Sequence, residues 1–187
     1  MKPRNLATVS AVVMVGVVAF AGGMIFQEWL QSEVKPLTVA PAVENPDPLP
    51  YAFPLQYAKD LLWWSEKTRV PLSVLCRLLS TETSKSGHPT DASWDPEAIS
   101  SAGAVGLSQL MPENTTDPLF VSFNDGFPID PKDPQTGIKI AARYLAYLIR
   151  MKDGNLKLAV GAYNAGPYTK PSWWKPETVS YVKKILP

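Results

Sequence analysis

Cysteine and histidine are almost absent from this chain of 187 residues, which has one of each, Cys76 and His88. A single cysteine cannot form a disulfide within the chain, and Cys76 lies in an apolar run where it is most simply a buried small side chain. One cysteine and one histidine do not make a zinc site, and they give little support to catalysis by a Ser-His or Cys-His pair. We therefore expect no metal and no cofactor.

An excess of charge is missing as well, because 18 basic and 17 acidic residues leave a formal net charge of +1. A balanced charge offers no general attraction for a phosphate backbone, so we expect no nucleic acid partner. No stretch alternates between apolar and polar residues for long enough to predict a β-strand. The length suits one domain with extensions.

The N-terminus carries a long uncharged run from Asn5 to Gln27, preceded by Lys2 and Arg4. The run is long enough to cross a hydrocarbon core as a helix, and positive residues before it place the rest of the chain outside the cytoplasm. An A-x-A pattern that ends at Ala21 leaves a cleavable signal peptide open. The apolar run continues beyond Ala21, which favours an uncleaved membrane anchor. No cysteine lies near the run, so a lipoprotein anchor is excluded.

Proline dominates the next segment, with six prolines between Val34 and Pro54. Such a composition favours an extended, semi-rigid spacer, although a disordered connector would have the same composition. The sequence thus divides into an anchor or signal peptide at residues 1–30, a proline-rich linker at 31–54 and a domain at 55–187.

Apolar residues recur at helical spacing through most of residues 55–187, so we predict a mainly α domain. Five helices are predicted to begin near Gln56, Pro71, Asp133, Asn155 and Lys175. Asp or Asn at a helix start and Gly at a helix end are the local signals that mark these boundaries.

Two finer predictions concern single segments of this domain. The apolar residues from Ala104 to Met111 predict a short helix that the following proline ends. In the last helix, the spacing of Val179, Val182 and Ile185 predicts that these three side chains point inward.

Glu82 continues the stripe that Leu75, Leu78 and Leu79 form on one face of the second helix. A carboxylate in an apolar setting is poorly solvated, which raises its pKa and lets it donate a proton near neutral pH. The plain alternative is a glutamate that turns into solvent where its helix ends.

Three groups of residues that follow Glu82 form motifs in a fixed order. They are ET at 82–83 with WDPEAIS at 94–100 and GAVGLSQLMP at 103–112, then AYNAGP at 162–167, and last ET at 177–178 with YV at 181–182. In order and spacing the chain resembles lytic transglycosylases of the soluble, lysozyme-like (SLT) type, from about Gln56 to Leu186. Three motifs in order are far more specific than any one of them.

The resemblance implies a lysozyme-like transglycosylase domain that acts on peptidoglycan glycan strands with one catalytic glutamate, Glu82. Most glycosidases use two carboxylates. The candidates for a second one near Glu82 are Asp91, Asp95 and Glu97, and turn and capping duties explain Asp95 and Glu97. In the family, the substrate's acetamido group supplies the nucleophile. The glutamate then acts as a base, and a 1,6-anhydro ring closes on N-acetylmuramic acid.

The resemblance also implies five supporting residues. Ser100 would bond near the reacting sugar, Gln109 would contact the sugar, and Met111 would form an apolar wall of the groove. Tyr163 would bond the catalytic glutamate through its hydroxyl, and Asn164 would be its structural or sugar-binding neighbour.

The chain departs from the family pattern in some places. Ser108 replaces the usual methionine, and the segment from Lys85 to Ser93 is longer than usual, so we expect it to lie beside the groove. Trp94, Trp173 and Trp174 are candidates for sugar-stacking aromatics, with packing as the alternative.

Two other functions stay open at this point: a lysozyme-type hydrolase of the same bond, and an inactive peptidoglycan-binding module. The expected partners are peptidoglycan strands and, through the N-terminal helix, a membrane. The expected location is the cell envelope outside the cytoplasm, and a virion-associated or secreted protein is the alternative.

Overall fold

The computed structural model describes residues 50–187, which contain six α-helices. In chain order they are α1 (Ala58–Thr68), α2 (Leu72–Thr83), α3 (Pro118–Phe123), α4 (Pro134–Met151), α5 (Leu156–Ala165) and α6 (Pro176–Ile185). A 3-10 turn at Leu55–Tyr57 precedes α1, and two more lie between helices, at Pro112–Thr115 and Pro171–Trp173. The described residues form isolated β-bridges but no strand. The prediction of a mainly α domain is confirmed.

Side-chain caps start two of the helices, α4 and α5, where the sequence predicted. The carboxylate of Asp133 accepts a hydrogen bond from the backbone N–H of Thr136 at 2.9 Å at the start of α4. Asn155 caps α5 in the same way, through a bond of 3.0 Å from the N–H of Leu158. Each bond satisfies an N–H group that the helix itself leaves free. Gly166, with φ of 95°, ends α5 as predicted.

Helix α4 lies at the centre of the domain and contacts α1, α2, α3 and α5. Its inner face carries Ile138, Leu145 and Leu148, which are fully buried. Burial of one such side chain contributes about 1.5–3 kcal/mol relative to exposure. Helix α6 closes the other side of the domain against α2 and α5.

Helix α2 is buried on nearly all sides, not only along its leucine stripe. Its one cation, Arg77, is 4% exposed, and its guanidinium donates to backbone carbonyls of Pro50, Lys184 and Ile185. Two of these carbonyls lie at the C-terminal end of α6, where the helix dipole favours a positive charge. The buried charge is thereby satisfied, and it ties the last helix to the helix that carries Glu82.

The predicted helix at residues 104–111 is wrong. Val105 and Leu110 exchange two backbone hydrogen bonds, of 2.9 and 3.0 Å, which close a tight turn between them. Gly106 and Gln109 have φ of 72° and 47°, in the left-handed region that a right-handed helix excludes. Apolar composition suggested a helix here, but the segment is a folded loop.

Contact with a distant carbonyl explains this loop. A Cβ atom added to Gly106 would lie 1.7 Å from the carbonyl oxygen of Pro131, and the N–H of Gly106 donates to the carbonyl of Ala98 at 2.9 Å. Only glycine permits such a close approach of two backbones. The loop conformation therefore depends on a tertiary contact with residue 131, which helical periodicity cannot reveal.

The inward face of α6 also differs from the prediction. Val182 and Ile185 are buried as expected, but Val179 is 39% exposed. Thr178 and Tyr181 point inward instead. The buried positions follow i, i+3, i+4 and i+7 spacing from Thr178, so the apolar stripe of this helix includes one threonine and one tyrosine.

The predicted membrane anchor at residues 1–30 and most of the predicted linker lie outside the described residues. Within residues 50–187, no helix is both long enough and apolar enough to span a membrane. Residues 50–54, at the end of the predicted linker, contact the domain, because the carbonyls of Pro50 and Ala52 accept hydrogen bonds from Arg77 and Ser80.

Candidate active site

A groove of about 740 Å³ opens on the surface of the domain. Its lining comes from the last turn of α2, from the loops and helix between residues 100 and 120, from α4, and from residues 163–168. All six site residues predicted from the sequence line this groove: Glu82, Ser100, Gln109, Met111, Tyr163 and Asn164. The tertiary structure thus brings together residues that are up to 82 positions apart in the chain.

Glu82 lies in the last turn of α2 and is partly buried. Its atom Oε1 accepts a short hydrogen bond from the hydroxyl of Tyr181 in α6. Burial raises the pKa of Glu82 to about 7, while the bond from Tyr181 acts in the opposite direction. A carboxyl group with this pKa carries a proton in a large fraction of molecules at neutral pH.

Tyr181 is not among the site residues that the sequence predicts. The resemblance implied that Tyr163 bonds the glutamate, but the Tyr163 hydroxyl donates to the carbonyl of Ser108 at 3.0 Å. The bond to Glu82 comes from Tyr181. Burial, with the nearby Glu82 as a smaller cause, raises the pKa of both tyrosines well above 10, so each hydroxyl keeps its proton. Tyr181 belongs to the last motif, and the inward spacing from Thr178 could have identified it.

Gln109 is held by the loop that carries it. Its side-chain amide donates to the carbonyls of Gly106 at 2.9 Å and Ala98 at 3.4 Å. Both bonds use the NH₂ group, so the side-chain oxygen is the atom left to accept a bond from a ligand. Ser100 is fixed in a similar way, because its hydroxyl accepts from the N–H of Ala104 at 3.0 Å.

Asn164 and Met111 complete the predicted set. The side-chain oxygen of Asn164 accepts a bond of 2.7 Å from the hydroxyl of Thr178, which is buried in α6. This bond orients the amide and leaves its NH₂ group as a donor. Met111 contributes a partly buried apolar side chain just before the turn at Pro112–Thr115.

None of the carboxylates considered earlier as a second acid lines the groove. Asp95 accepts from the N–H of Glu97 at 2.9 Å, and Glu97 pairs with Lys132 at 2.6 Å on the surface. Asp91 is bonded to Ser86 and Ser93 in an exposed turn, and these bonds hold its pKa far below the usual range.

Within the described residues, Asp117 is the one other carboxylate that lines the groove. It is not among the carboxylates that the sequence motifs single out. Its side chain accepts a bond of 2.8 Å from the N–H of Leu119 and caps α3, so one of its oxygens is already engaged. Among residues 50–187, no three His, Cys, Asp or Glu side chains cluster closely enough to hold a metal ion.

The three tryptophans proposed for sugar stacking do not line the groove. Trp94 is buried and donates through Nε1 to the hydroxyl of Ser80 at 2.9 Å. Trp174 packs on α5 at Gly161, where an added Cβ would lie 2.1 Å from the indole ring. Trp173 is exposed and does not reach the groove.

Other aromatic residues form the apolar part of the lining. Tyr144 packs against Phe120 and Tyr163 with ring centroids 4.9 and 5.3 Å apart. Burial raises the pKa of Tyr144 to about 12. Tyr147 and Tyr168 also line the groove. Tyr144 and Tyr147 lie on α4 and Tyr168 lies in the loop after α5, and none of the three belongs to a sequence motif, so the sequence carried no signal for this role.

The segment from Lys85 to Ser93 was expected beside the groove, but none of its residues lines it. Instead it folds back near α6, where the side chain of Lys184 donates to the carbonyl of Gly87 at 3.2 Å. Its bonds around Asp91 order the turn locally.

A small helical domain with a groove around one partly buried glutamic acid is characteristic of lysozyme-like domains. The family model described as "Transglycosylase SLT domain" matches residues 64–183, and the chain belongs to that family.

Named relatives agree with this membership. This chain is 30% identical over 129 residues to the soluble lytic murein transglycosylase of Escherichia coli K12. The matched region covers 68% of this chain and 19% of that protein. The soluble lytic murein transglycosylase of Salmonella typhimurium is 33% identical over 85 residues, which cover 44% of this chain and 13% of the relative. The match to these curated relatives therefore spans less than a fifth of their length.

Solved structures show the same fold. The 70 kDa soluble lytic transglycosylase of Escherichia coli superposes with a TM-score of 0.58 at 27% identity, over 71% of this chain and 23% of that chain. An inactive mutant of lytic transglycosylase Slt from Pseudomonas aeruginosa superposes with a TM-score of 0.56 at 24% identity, also over 71% of this chain and 23% of that chain. At this identity, the second likeness concerns the fold alone.

Proposed function

We propose that this protein is a peptidoglycan lytic transglycosylase that cleaves the β-1,4 bond between N-acetylmuramic acid and N-acetylglucosamine. The observation that carries the proposal is the state of Glu82, a partly buried acid with a pKa near 7 in the groove of an SLT domain. The names of the relatives support the same activity.

In the proposed first step, Glu82 protonates the glycosidic oxygen as the bond to the sugar carbon breaks. Because Oε1 already accepts a bond from Tyr181, the transferred proton is carried by Oε2. The acetamido group of the substrate's muramic acid bonds to the sugar carbon and compensates for the developing positive charge. No protein nucleophile is required for this step.

In the second step, the Glu82 carboxylate removes the proton from the C6 hydroxyl of the muramic acid. The C6 oxygen displaces the acetamido oxygen, and the 1,6-anhydro ring closes. The glutamic acid is restored without the use of water. Each step requires a different protonation state of Glu82, and a pKa near 7 makes both states accessible at neutral pH.

The remaining residues are proposed to bind the glycan strand. Gln109 offers a side-chain oxygen, Asn164 offers its NH₂ group, and Ser100 offers a hydroxyl beside them. Met111 and Tyr163 supply apolar contact for the sugar rings. Polar groups that the protein already orients need little further ordering when the substrate binds.

A lysozyme-type hydrolase is the second candidate, and Asp117 favours it, since two carboxylates in one groove are the usual requirement for hydrolysis. Purified peptidoglycan is digested with the full chain, and the products are analysed by mass spectrometry. Transglycosylase products end in 1,6-anhydro-N-acetylmuramic acid and are lighter by one water than hydrolysis products. Products with only reducing ends would assign a hydrolase. Binding without any product would assign an inactive binding module.

We also propose that residues 1–30 anchor the chain in a membrane, and that residues 31–54 hold the domain at 55–187 on the outer side of it. The motivation is the uncharged run from Asn5 to Gln27 behind Lys2 and Arg4. The full-length protein should fractionate with membranes and resist extraction by salt and alkali. A soluble form that begins after Ala21 would show that the segment is a cleaved signal peptide.

A further inference from the structure

Tyr168 combines two properties that no other aromatic residue of the groove combines. It lines the groove, and yet it is 79% exposed. The other aromatic rings of the lining, such as Phe120, Tyr144 and Tyr163, are buried or partly buried and pack against each other. A large exposed ring at the edge of a groove is available for a ligand, because the protein itself does not cover it.

The backbone around Tyr168 is held in place. The side chain of Lys152 donates to the carbonyl of Pro167 at 2.7 Å, and the hydroxyl of Thr169 donates to the carbonyl of Ala165 at 2.6 Å. The N–H of Thr169 also donates to the carbonyl of Gly166 at 3.2 Å. These bonds fix the residues on both sides of the tyrosine, while its ring remains in solvent.

A second anchor holds the far end of the same loop, which runs between α5 and α6. Trp174 packs so closely on α5 that only glycine fits at position 161. Trp173, its neighbour, is 66% exposed and interacts with Lys170, whose amino group lies 5.2 Å from the centre of the indole ring. Thus one loop presents two exposed rings, of which Tyr168 alone lines the groove.

The rest of the groove indicates what the ring would contact. Its polar groups include Asn114, Asp117 and Asn164 as well as Glu82. Amides and carboxylates suit the hydroxyl and acetamido groups at the edges of a sugar ring, and an aromatic face suits the apolar C–H face of the same ring. The reacting sugar must lie against Glu82, which is partly buried, whereas the exposed Tyr168 lies at the open edge.

We propose that Tyr168 is the stacking platform of a sugar-binding subsite at the edge of the groove. The subsite takes an aminosugar ring beyond the two that the cleaved bond joins, and so favours longer glycan strands. This inference rests on the proposed glycan-cleaving function.

Steady-state kinetics of the full chain on glycan strands of defined lengths tests the proposal. Tyr168→Ala should raise KM by about 3- to 10-fold on long strands, as expected for the loss of one aromatic contact, and leave kcat nearly unchanged. The effect should shrink on the shortest strands that are cleaved. Tyr168→Phe should behave as the wild type, because it keeps the ring.

Trp173→Ala is the matched control, since it removes an exposed ring from the same loop but not from the groove. It should leave KM unchanged. Binding to insoluble peptidoglycan gives a second readout without turnover. The double variant Glu82→Gln, Tyr168→Ala should bind about 3- to 10-fold more weakly than the single variant Glu82→Gln. Thermal unfolding of both alanine variants should match the wild type, because neither side chain is buried.

The outcomes separate the inference from the function on which it rests. If the wild type cleaves glycan strands and Tyr168→Ala has the wild-type KM at every length, the subsite does not exist. An equal loss of kcat at all lengths would also overturn it, since the residue would then act on the reaction itself. If the wild type neither cleaves nor binds peptidoglycan, the proposed function fails first.

Discussion

Glu82 and Gln109 both reach the groove, but through different kinds of structure. Glu82 lies on a helix whose other residues are mostly buried, and its partner Tyr181 comes from a second helix packed against the first. Gln109 lies in a loop with a left-handed backbone, and its bonds go to carbonyls of that loop and of Ala98. The helical side of the groove sets the protonation of Glu82, whereas the loop side carries the polar groups that we propose for binding.

The two sides also depend on different kinds of stabilisation. The helical side is supported by apolar burial and by Arg77, which joins α2 to the end of α6. The loop side is supported by backbone hydrogen bonds and by the close approach of Gly106 to Pro131. Changes on the helical side should therefore affect protonation and turnover, and changes on the loop side should affect the stability of the site.

The largest effect is expected for Glu82→Gln. The substitution keeps the shape and can still accept the bond from Tyr181, but it cannot exchange a proton. Turnover of peptidoglycan should fall by at least ~10²-fold, with folding and glycan binding retained. Product release from purified peptidoglycan and a binding assay measure the two properties.

Asp117→Asn is the matched control, because asparagine still caps α3 but is no longer a carboxylate. It should keep most of the activity. A large loss in Asp117→Asn together with near-normal activity in Glu82→Gln would contradict the one-glutamate mechanism.

On the loop side, Gly106→Ala should strongly destabilise the domain. The added Cβ would clash with backbone at Pro131, and alanine is strained at φ of 72°. We expect the free energy of unfolding to fall by about 3 kcal/mol in urea titrations. Gly103→Ala has a similar positive φ but meets no atom within 4 Å, so it should cost only about 1 kcal/mol. Equal costs would show that the contact with Pro131 is unimportant.

The next prediction concerns the pH dependence of stability. The folded state holds the pKa of Glu82 near 7, above its ordinary value of 4.5, so the folded protein binds more protons than the unfolded chain between these pH values. This contribution to stability is complete below pH 4.5 and is lost as the pH rises through 7. Glu82→Gln has no such loss. It should match the wild type at pH 4 and be more stable by about 3 kcal/mol at pH 8.

Urea unfolding of both proteins across this range provides the measurement, and the difference between them removes the contributions of all other groups. Stability curves that stay parallel from pH 4 to pH 8 would mean that the pKa of Glu82 is not raised.

The smallest expected effect is a shift in the pH profile of activity, and it distinguishes Tyr181 from Tyr163. The bond from Tyr181 favours the ionised form of Glu82, so Tyr181→Phe should raise the pKa of Glu82 further. Since the first step requires a protonated acid, the fall in activity at high pH should move to higher pH by up to about one unit. Tyr163→Phe removes a bond to a carbonyl instead, so its pH profile should stay in place. A shift in Tyr163→Phe alone would reverse the assignment.

The sequence by itself determined most of the helices and six of the residues that line the groove. Asp133 and Asn155 start helices through bonds to residues three positions away, which is a local property that any chain with these residues can form. Similarly, the stripe of leucines in α2 could only lie inside a core, so the burial of the helix that ends near Glu82 followed from its spacing. The six site residues that the motifs predicted all line the groove.

Only the tertiary structure decided the details on which the chemistry depends. Residues 104–111 have the composition of a helix, but the approach of Pro131 to Gly106 requires a loop. Tyr181 bonds Glu82 because α6 turns its Thr178 face, not its Val179 face, toward α2. Such choices depend on contacts between residues about 25 to 100 positions apart, whose energies are not encoded in any short stretch of the chain.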